Sequence, residues 1–346
     1  MRWVCVQLAR SILILLFAGH ASQADEPLGL SRWPVIRANF LADPPNVVAP
    51  TRGGTQLWGD VVCCGRWRIQ RNVMTGHCRL LDPDDVRRAW GSQDSCQTHL
   101  NDLKRRGVVE PVHGTVVLVL HGLLGSRQQM APLVEALEED STWTVISVAY
   151  PSTRASVADH AAALRSIMAN LQGAREIHFV AHSLGNLVIR HYLSDHAAAH
   201  EGRSDPRLGR FVMLGPPNHG SRVADTLGGN AIFDTTLGES AQQLAHRWRE
   251  LEPHLSTPPC EFGIIAGGRG NQSGFNPLLD GDDDGTVRVA EARLVGASDF
   301  VLVDALHSSL MANRSVQELT RRYLHTGSFR RDGTCEPIRD ESHDQP

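Results

Sequence analysis

Between residues 115 and 324, short apolar runs alternate with segments whose apolar positions recur every three or four residues. The short runs predict strands buried on both faces, and the periodic segments predict helices. Their alternation predicts a mostly parallel sheet with helices on both faces. The predicted strands are residues 115–120, 142–148, 177–180, 210–214, 262–267 and 300–303, and the predicted helices are residues 131–139, 157–171, 241–251 and 308–324.

The region before residue 111 follows a different pattern. Residues 57–62 and 67–73 predict two short strands that form a hairpin, whereas residues 82–90 and 95–104 predict helices. The chain therefore divides into a signal peptide at 1–24, an N-terminal extension at 25–110, a core domain at 111–327 and a polar C-terminal tail at 328–346.

The first 24 residues have the pattern of a secretory signal. Arg2 and Arg10 supply positive charge, a nine-residue apolar run follows, and Ala24 offers a small residue for cleavage. We expect export to the periplasm, the cell surface or the medium. An uncleaved membrane anchor is the alternative, but the apolar run is short for a span.

Ser183 lies where a predicted strand passes directly into a predicted helix. The strand ends at Val180 and the helix pattern begins at Leu184. Ala181 and Gly185 are small, as a sharp strand-to-helix turn requires. A serine at the tip of such a turn presents its hydroxyl at the carboxyl edge of the sheet, so Ser183 is a candidate nucleophile. An ordinary turn is the alternative.

Residues 181–185 resemble the nucleophile elbow of the α/β-hydrolases, with the Ala-x-Ser-x-Gly form found in small bacterial lipases and carboxylesterases. The resemblance spans residues 113–327. It implies the α/β-hydrolase fold, a cap at 222–259, and cleavage of an acyl-ester or lipid substrate through a Ser-His-Asp triad and an acyl-enzyme. It implies no cofactor and no metal. A thioesterase, an amidase and a lipid-linked deacylase would use the same triad.

The resemblance also assigns an oxyanion hole. His121 and Gly122 follow a predicted strand and are similar to the oxyanion loop of lipases and esterases. The backbone N–H groups of Leu123, directly after this pair, and of Leu184, directly after the nucleophile, are expected to hold the oxyanion. Substrate contacts are expected at five residues: His121, Gly122, His182, Pro216 and Pro217.

A base and an acid are expected further along the chain. His307 follows the predicted strand 300–303, at the strand end where catalytic groups gather in open α/β sheets. The family order Ser…Asp…His places the acid before it. The sequence Asp-Gly-Thr-Val is similar to the family pattern Asp-Gly-x-Val and assigns the acid to Asp284, with Asp283 and Asp282 as alternatives. The acid is expected to accept the Nδ1–H of His307.

The same loop also fits the calcium-binding pattern of an EF-hand. The ligands would be Asp280, Asp282, Asp284 and Glu291, with the glycine at position 285. An EF-hand needs a helix on each side, and the glycine-rich stretch 267–274 does not predict one. Three readings follow: an acidic turn around one catalytic residue, a calcium ion that braces the acid loop, or a non-catalytic protein that binds a partner through calcium.

The composition of the chain excludes some classes of function and predicts the state of the cysteines. A net charge of −4 gives no basic surface for nucleic acid, and no apolar run reaches the length of a membrane span after the signal. An even number of cysteines in an exported chain predicts disulfides, and four of them cluster between residues 63 and 96. The cysteines after the signal are Cys63, Cys64, Cys78, Cys96, Cys260 and Cys335. Neither their pairing nor the oligomeric state follows from the sequence.

Overall fold

The computed structural model of the chain describes residues 49–51, 56–220 and 231–340, and these residues form two sheets. The predicted signal peptide, residues 1–24, lies outside the described residues. Within the described ranges, no helix combines the length and the apolar character needed to cross a membrane.

The N-terminal sheet is antiparallel. Its five strands are β1 (Ala49–Pro50), β2 (Trp58–Cys64), β3 (Trp67–Asn72), β4 (Cys78–Leu81) and β5 (Val86–Gly91). They lie in the order β1-β5-β4-β3-β2, and β2 and β3 are the hairpin that the sequence predicts. Helix α1 (Gln93–Arg105) covers one face, where Leu100 packs with Ile69 and Leu80 in a separate apolar core.

The predicted helix at 82–90 is wrong, because this stretch is a turn followed by β5. The Asp82 side chain accepts the N–H groups of Asp84 and Val86 at 3.0 and 2.9 Å, which closes the turn. Asp85 adopts a positive φ of 57° in that turn. Aspartate side chains that bond their own backbone compete with a helix, and pairing with β4 completes the strand.

The central sheet has six strands, and every neighbouring pair is parallel. Its strands are β6 (Gly114–Leu120), β7 (Trp143–Val148), β8 (Ala174–His182), β9 (Leu208–Leu214), β10 (Phe262–Gly268) and β11 (Asp299–Asp304). The spatial order is β11-β10-β9-β8-β6-β7, so the chain reverses its direction across the sheet between β6 and β8. A crevice for ligands is expected at such a reversal.

Helices cover both faces of the central sheet. They are α2 (Arg127–Glu138), α3 (Val157–Asn170), α4 (Leu184–Ala199), α5 (Ala231–Ala245), α6 (Trp248–Leu251), α7 (Val289–Ala292) and α8 (Arg314–Thr326). Successive residues of β6 point to opposite faces: Val116 and Leu118 pack with α3 and α4, whereas Val117 and Val119 pack with α2 and α8. The predicted fold class, a mostly parallel sheet with helices on both faces, is confirmed.

The predicted disulfides are not found. All six cysteines of the described residues are free. Cys64, Cys78 and Cys96 are buried in the core under α1, and Cys63 is buried in the core of the central sheet. Cys63 and Cys64 are adjacent in a strand and therefore serve opposite faces. These thiols act as small apolar side chains, a common use of buried free cysteine.

The segment after α8 packs on the core although it has no helix or strand. Phe329 is fully buried against Tyr323, with ring centroids 4.6 Å apart. The Phe329 N–H donates to the Asp299 carboxylate at 2.8 Å, and Arg330 forms an ion pair with the same carboxylate at 2.7 Å. The beginning of the polar tail therefore belongs to the folded core.

Phe329→Ala is expected to lower the free energy of unfolding by about 3–5 kcal/mol, because it leaves a cavity beside Tyr323. Arg331→Ala, at an exposed position two residues later, is the control and should change it by no more than about 0.5 kcal/mol. Urea unfolding at neutral pH measures both. Equal, small effects would show that the segment does not contribute to the core.

Candidate active site

Ser183 occupies a strained turn between β8 and α4. Its backbone has φ 53° and ψ −122°, a conformation uncommon for residues other than glycine. Its N–H donates to the Leu214 carbonyl oxygen at 2.9 Å, and the Asn186 amide donates to the Ser183 carbonyl oxygen at 2.9 Å. Hydrogen bonds to β9 and to the first turn of α4 thus hold the turn, and the serine side chain stays partly exposed.

Two glycines let the neighbouring chain segments meet at this turn. A Cβ on Gly185 would lie 2.8 Å from the His121 carbonyl oxygen, so only glycine allows the start of α4 to touch the end of β6. A Cβ on Gly122 would lie 2.9 Å from the Ser183 Cβ. The loop after β6 therefore lies directly against Ser183.

Asp284 and His307 meet at the same edge of the sheet. The His307 Nδ1–H donates to Asp284 Oδ2 at 2.7 Å, and the His307 N–H donates to the Asp284 carbonyl oxygen at 2.8 Å. The other carboxylate oxygen, Oδ1, accepts the N–H groups of Thr286 and Val287 at 3.0 and 2.7 Å. The Asp284 side chain is only 1% exposed and each of its oxygens has a partner.

The other acidic residues of the loop have different partners. Asp282 accepts the N–H groups of Arg269 and Gly270 at 2.8 and 2.9 Å. Asp283 Oδ1 accepts the Gly285 N–H at 2.6 Å. Of the three aspartates, Asp284 is therefore the one that contacts His307.

The EF-hand interpretation finds no support in this geometry. Glu291 forms an ion pair with Arg288 at 3.0 Å, and Asp280 is exposed. The segment before the loop, residues 269–280, contains no helix. Among the residues with described positions, no group of three or more acidic, histidine or cysteine side chains is arranged to hold a metal ion.

The two predicted oxyanion donors lie at the ends of neighbouring strands, Leu123 after β6 and Leu184 after β8. In the described part of the chain, no hydrogen bond to another residue engages either N–H. In the loop after β6, a hydrogen bond of 3.1 Å from the Gly125 N–H to the Gly122 carbonyl oxygen closes a turn. Leu124 lies in this turn with φ 57°. We call residues 121–126 the oxyanion loop, after the predicted role of Leu123.

His121 is buried and holds the oxyanion loop from inside. Its Nδ1–H donates to the Gly122 carbonyl oxygen at 2.8 Å, and its ring stacks on Tyr150 with centroids 4.2 Å apart. The Tyr150 hydroxyl donates to the His121 carbonyl oxygen. Burial lowers the pKa of His121 to about 4, so the ring is neutral at pH 7. Tyr150 is a residue that sequence reasoning missed, although its position just after β7 places it at the edge where functional groups gather.

His182 contacts the candidate base. Its ring lies 4.5 Å from the His307 ring, and its Nε2–H donates to the His307 carbonyl oxygen at 3.0 Å. Burial, and then the nearby His307, lower the pKa of His182 well below its usual range. Pro216 and Pro217 are buried directly after β9. Gly122 lies beside both Ser183 and His182.

Three features together define the α/β-hydrolase fold: the order of the sheet, the turn at Ser183 after β8, and the pairing of His307, after β11, with Asp284 in the loop after β10. The resemblance read from residues 181–185 is confirmed at the level of the fold.

Neither a protein-family model nor a curated protein sequence matches the chain. Similar solved structures include the mature lipase BlEst2 of Bacillus licheniformis, with 20% identity over 63% of this chain and 94% of that chain and a TM-score of 0.48. The metagenomic carboxyl esterase MGS0156 has 17% identity over 61% and 73%, with a TM-score of 0.43. Phospholipase PlaB of Legionella pneumophila has 19% identity over 52% and 45%, with a TM-score of 0.39.

The buried histidines around the site predict a pH dependence of stability. Burial lowers the pKa of His160 to about 3 and that of His121 to about 4, whereas both titrate near 6.5 when unfolded. The unfolded chain therefore binds more protons below that pH, and the free energy of unfolding should fall as pH drops from about 6.5 toward 4. Each such histidine contributes a slope of about 1.4 kcal/mol per pH unit.

His160→Gln should reduce that slope by about 1.4 kcal/mol per pH unit, because one group no longer titrates differently in the two states. Urea unfolding of both proteins at several pH values between about 4 and 6.5 measures the two slopes. The carboxylates contribute equally to both slopes, so they cancel in the difference. Parallel curves for the two proteins would contradict the prediction.

Proposed function

We propose that this chain is a serine hydrolase that cleaves acyl esters, of the lipase or carboxylesterase type. The hydrogen bond of 2.7 Å between Asp284 and His307, which in turn contacts His182 directly before Ser183, is the observation that carries the proposal. A buried carboxylate that fixes one imidazole nitrogen leaves the other nitrogen available to a serine, which is the arrangement of an activated nucleophile.

In the proposed reaction the Ser183 hydroxyl attacks the carbonyl carbon of the ester, and His307 Nε2 takes its proton. Asp284 keeps the Nδ1–H tautomer and stabilises the imidazolium. The N–H groups of Leu123 and Leu184 hold the oxyanion of the tetrahedral intermediate. The imidazolium then returns the proton to the leaving alcohol. Water, activated by His307, hydrolyses the acyl-enzyme by the same steps.

Apolar surface near the site favours an acyl group as the part of the substrate that is recognised. Leu124 in the oxyanion loop is 60% exposed, and Leu306, next to His307, is 46% exposed. Exposed leucines at two sides of a catalytic edge offer contact to a hydrocarbon chain. Part of the predicted cap, residues 221–230, lies outside the described residues. Cleavage of a thioester, an amide or a lipid-linked acyl group by the same triad is the alternative chemistry.

The non-catalytic, calcium-dependent binding protein is the other class of function. It would need Asp280, Asp282, Asp284 and Glu291 to turn toward one ion. Asp284 instead binds His307, and Glu291 instead binds Arg288. The geometry therefore favours the enzyme. Export to the periplasm, the cell surface or the medium is part of the proposal and depends on residues 1–24 alone.

Ser183→Ala should leave a folded protein whose ester hydrolysis is reduced by about 10³-fold or more, because the nucleophile is lost. A fluorophosphonate probe should label the wild-type protein and fail to label this variant. The control is Ser204→Ala, which removes an exposed serine and should keep both activity and labelling. Hydrolysis near the wild-type rate by Ser183→Ala, at an unchanged Tm, would contradict the assignment.

A matched series of oxygen esters, thioesters and anilides, with acyl chains of increasing length, then separates the proposed activity from its alternatives. The proposal expects the highest kcat/KM for an oxygen ester. A preference for the thioester or the anilide would replace it with the thioesterase or the amidase.

Asp284→Asn should lower kcat by roughly 10²- to 10⁴-fold, because the tautomer of His307 is no longer fixed. Asp282→Asn and Asp283→Asn are the matched controls in the same loop. Their carboxylates bind backbone N–H groups and not His307, so kcat of the folded variants should change far less. Steady-state kinetics with one ester substrate decide the order, and a larger loss for Asp283→Asn would move the acid by one residue.

A further inference from the structure

We propose that the N-terminal antiparallel sheet is a positioning element for the oxyanion loop, and that Gln56 and Asp85 are its positioning residues. Three separate contacts join this sheet to the loop or to the segments that hold it. None of these side chains is expected to touch substrate. The inference rests on the proposed function, since it assigns the N-terminal sheet a part in the same reaction.

The first contact fixes the end of the oxyanion loop. Asp85, in the turn between β4 and β5, accepts two hydrogen bonds from the Arg127 guanidinium, at 2.6 and 2.8 Å. Arg127 is the first residue of α2 and directly follows the loop. Both side chains are largely buried, at 26% and 19% exposure, so water screens this ion pair less than a surface pair. The ion pair ties the start of α2 to the N-terminal sheet.

The second contact is made by a single amide, that of Gln56 in the turn directly before β2. The Gln56 Nε2–H donates to the Gly125 carbonyl oxygen in the oxyanion loop at 3.1 Å. Gln56 Oε1 accepts the N–H and the hydroxyl of Thr153, each at 2.9 Å. The side chain therefore joins the loop after β6 to the loop after β7, and both loops belong to the catalytic edge of the central sheet.

The third contact acts through Tyr150. The buried Asp60 carboxylate accepts the Ala149 N–H at 2.8 Å, and the Asp60 N–H donates to the Ala149 carbonyl oxygen at 2.8 Å. Arg68 and Gln70 of β3 each donate to the same carboxylate at 2.8 Å. Ala149 is therefore held on both sides. The next residue is Tyr150, whose ring and hydroxyl support His121 as described above.

These contacts matter because the oxyanion loop carries the N–H group of Leu123, one of the two proposed oxyanion donors, and the strength of its hydrogen bond depends on its position. Inside the loop, the Gly122 carbonyl oxygen accepts two hydrogen bonds, from Gly125 and His121. The Gly125 carbonyl and Arg127 are held by the N-terminal sheet, through residues 69 and 42 positions away in the sequence. A displacement of about 1 Å at a catalytic group can cost about 10²-fold in rate. Loosening these contacts should therefore affect the transition state more than substrate binding.

The test compares Gln56→Ala, Asp85→Ala, Arg127→Ala and the double variant Asp85→Ala/Arg127→Ala in ester hydrolysis. We expect kcat to fall about 10- to 100-fold with little change in KM, because the side chains position the loop and do not bind substrate. The double variant should be no slower than the slower of its two single variants. Each of these three proteins lacks the same Asp85–Arg127 ion pair, so the effects of the single changes should not add. Asp85→Glu, which keeps the carboxylate, should recover part of the lost rate.

The control is Arg321→Ala, which breaks an ion pair with Glu139 at 2.7 Å, at the opposite end of α2. It should leave kcat unchanged, because that end of α2 is remote from the oxyanion loop. Gln56→Glu is a second variant that keeps an acceptor for Thr153 but loses the donor to Gly125, so it should resemble Gln56→Ala. Tm is measured for each protein, so that loss of folded protein is not taken for loss of catalysis.

The inference is overturned if kcat stays at the wild-type value, if KM alone rises, or if kcat falls only in proportion to the folded fraction. If the variants give one of these results while the wild-type protein hydrolyses esters and takes a fluorophosphonate label, the proposed function stands and only the positioning role is contradicted. A wild-type protein that does neither contradicts the proposed function, and the positioning role falls with it.

Discussion

A carboxylate buried at the edge of a parallel sheet has to be matched by hydrogen-bond donors, and Asp284 organises the site through this requirement. Two backbone N–H groups of its own loop bind one oxygen, and His307 binds the other. An unpaired buried charge would cost several kcal/mol, so the folded loop and the imidazole are needed for the carboxylate to be stable there. The orientation of His307 is thus a consequence of burying Asp284.

The strained backbone of Ser183 is likewise held in place by hydrogen bonds and close packing. A positive φ at a residue with a side chain persists only where the surroundings determine it. Here β9 accepts the Ser183 N–H, Asn186 binds its carbonyl oxygen, and the glycine at 185 lets α4 start against the end of β6. The backbone of Ser183, whose side chain is partly exposed, is therefore held by elements that belong to the packed core.

The features of the fold and the site that the sequence predicts correctly are those encoded by a few neighbouring residues. The strand-to-helix turn at Ser183 and the position of His307 after a strand follow from patterns of a few residues. The choice of Asp284 over its neighbours also followed from a four-residue pattern, and the structure brings this aspartate to His307. The predicted helix at residues 82–90 is wrong because the Asp82 side chain closes a turn with its own backbone, which the apolar pattern does not indicate. The free cysteines show that an even count predicts disulfides only if the side chains face one another.

The contacts of the N-terminal sheet had no local signal at all. Asp85 and Arg127 are 42 residues apart, and nothing around either residue predicts that they pair. A buried ion pair such as Asp60 with Arg68 adds little net stability, because desolvation offsets the attraction between the charges. Its geometric demands are strict, however, since each donor must meet its acceptor. Apolar contacts alone would tolerate a small rotation between the N-terminal sheet and the loops of the central sheet. The hydrogen bonds of Asp60, Gln56 and Asp85 do not, and this is the property that a support for an oxyanion loop requires.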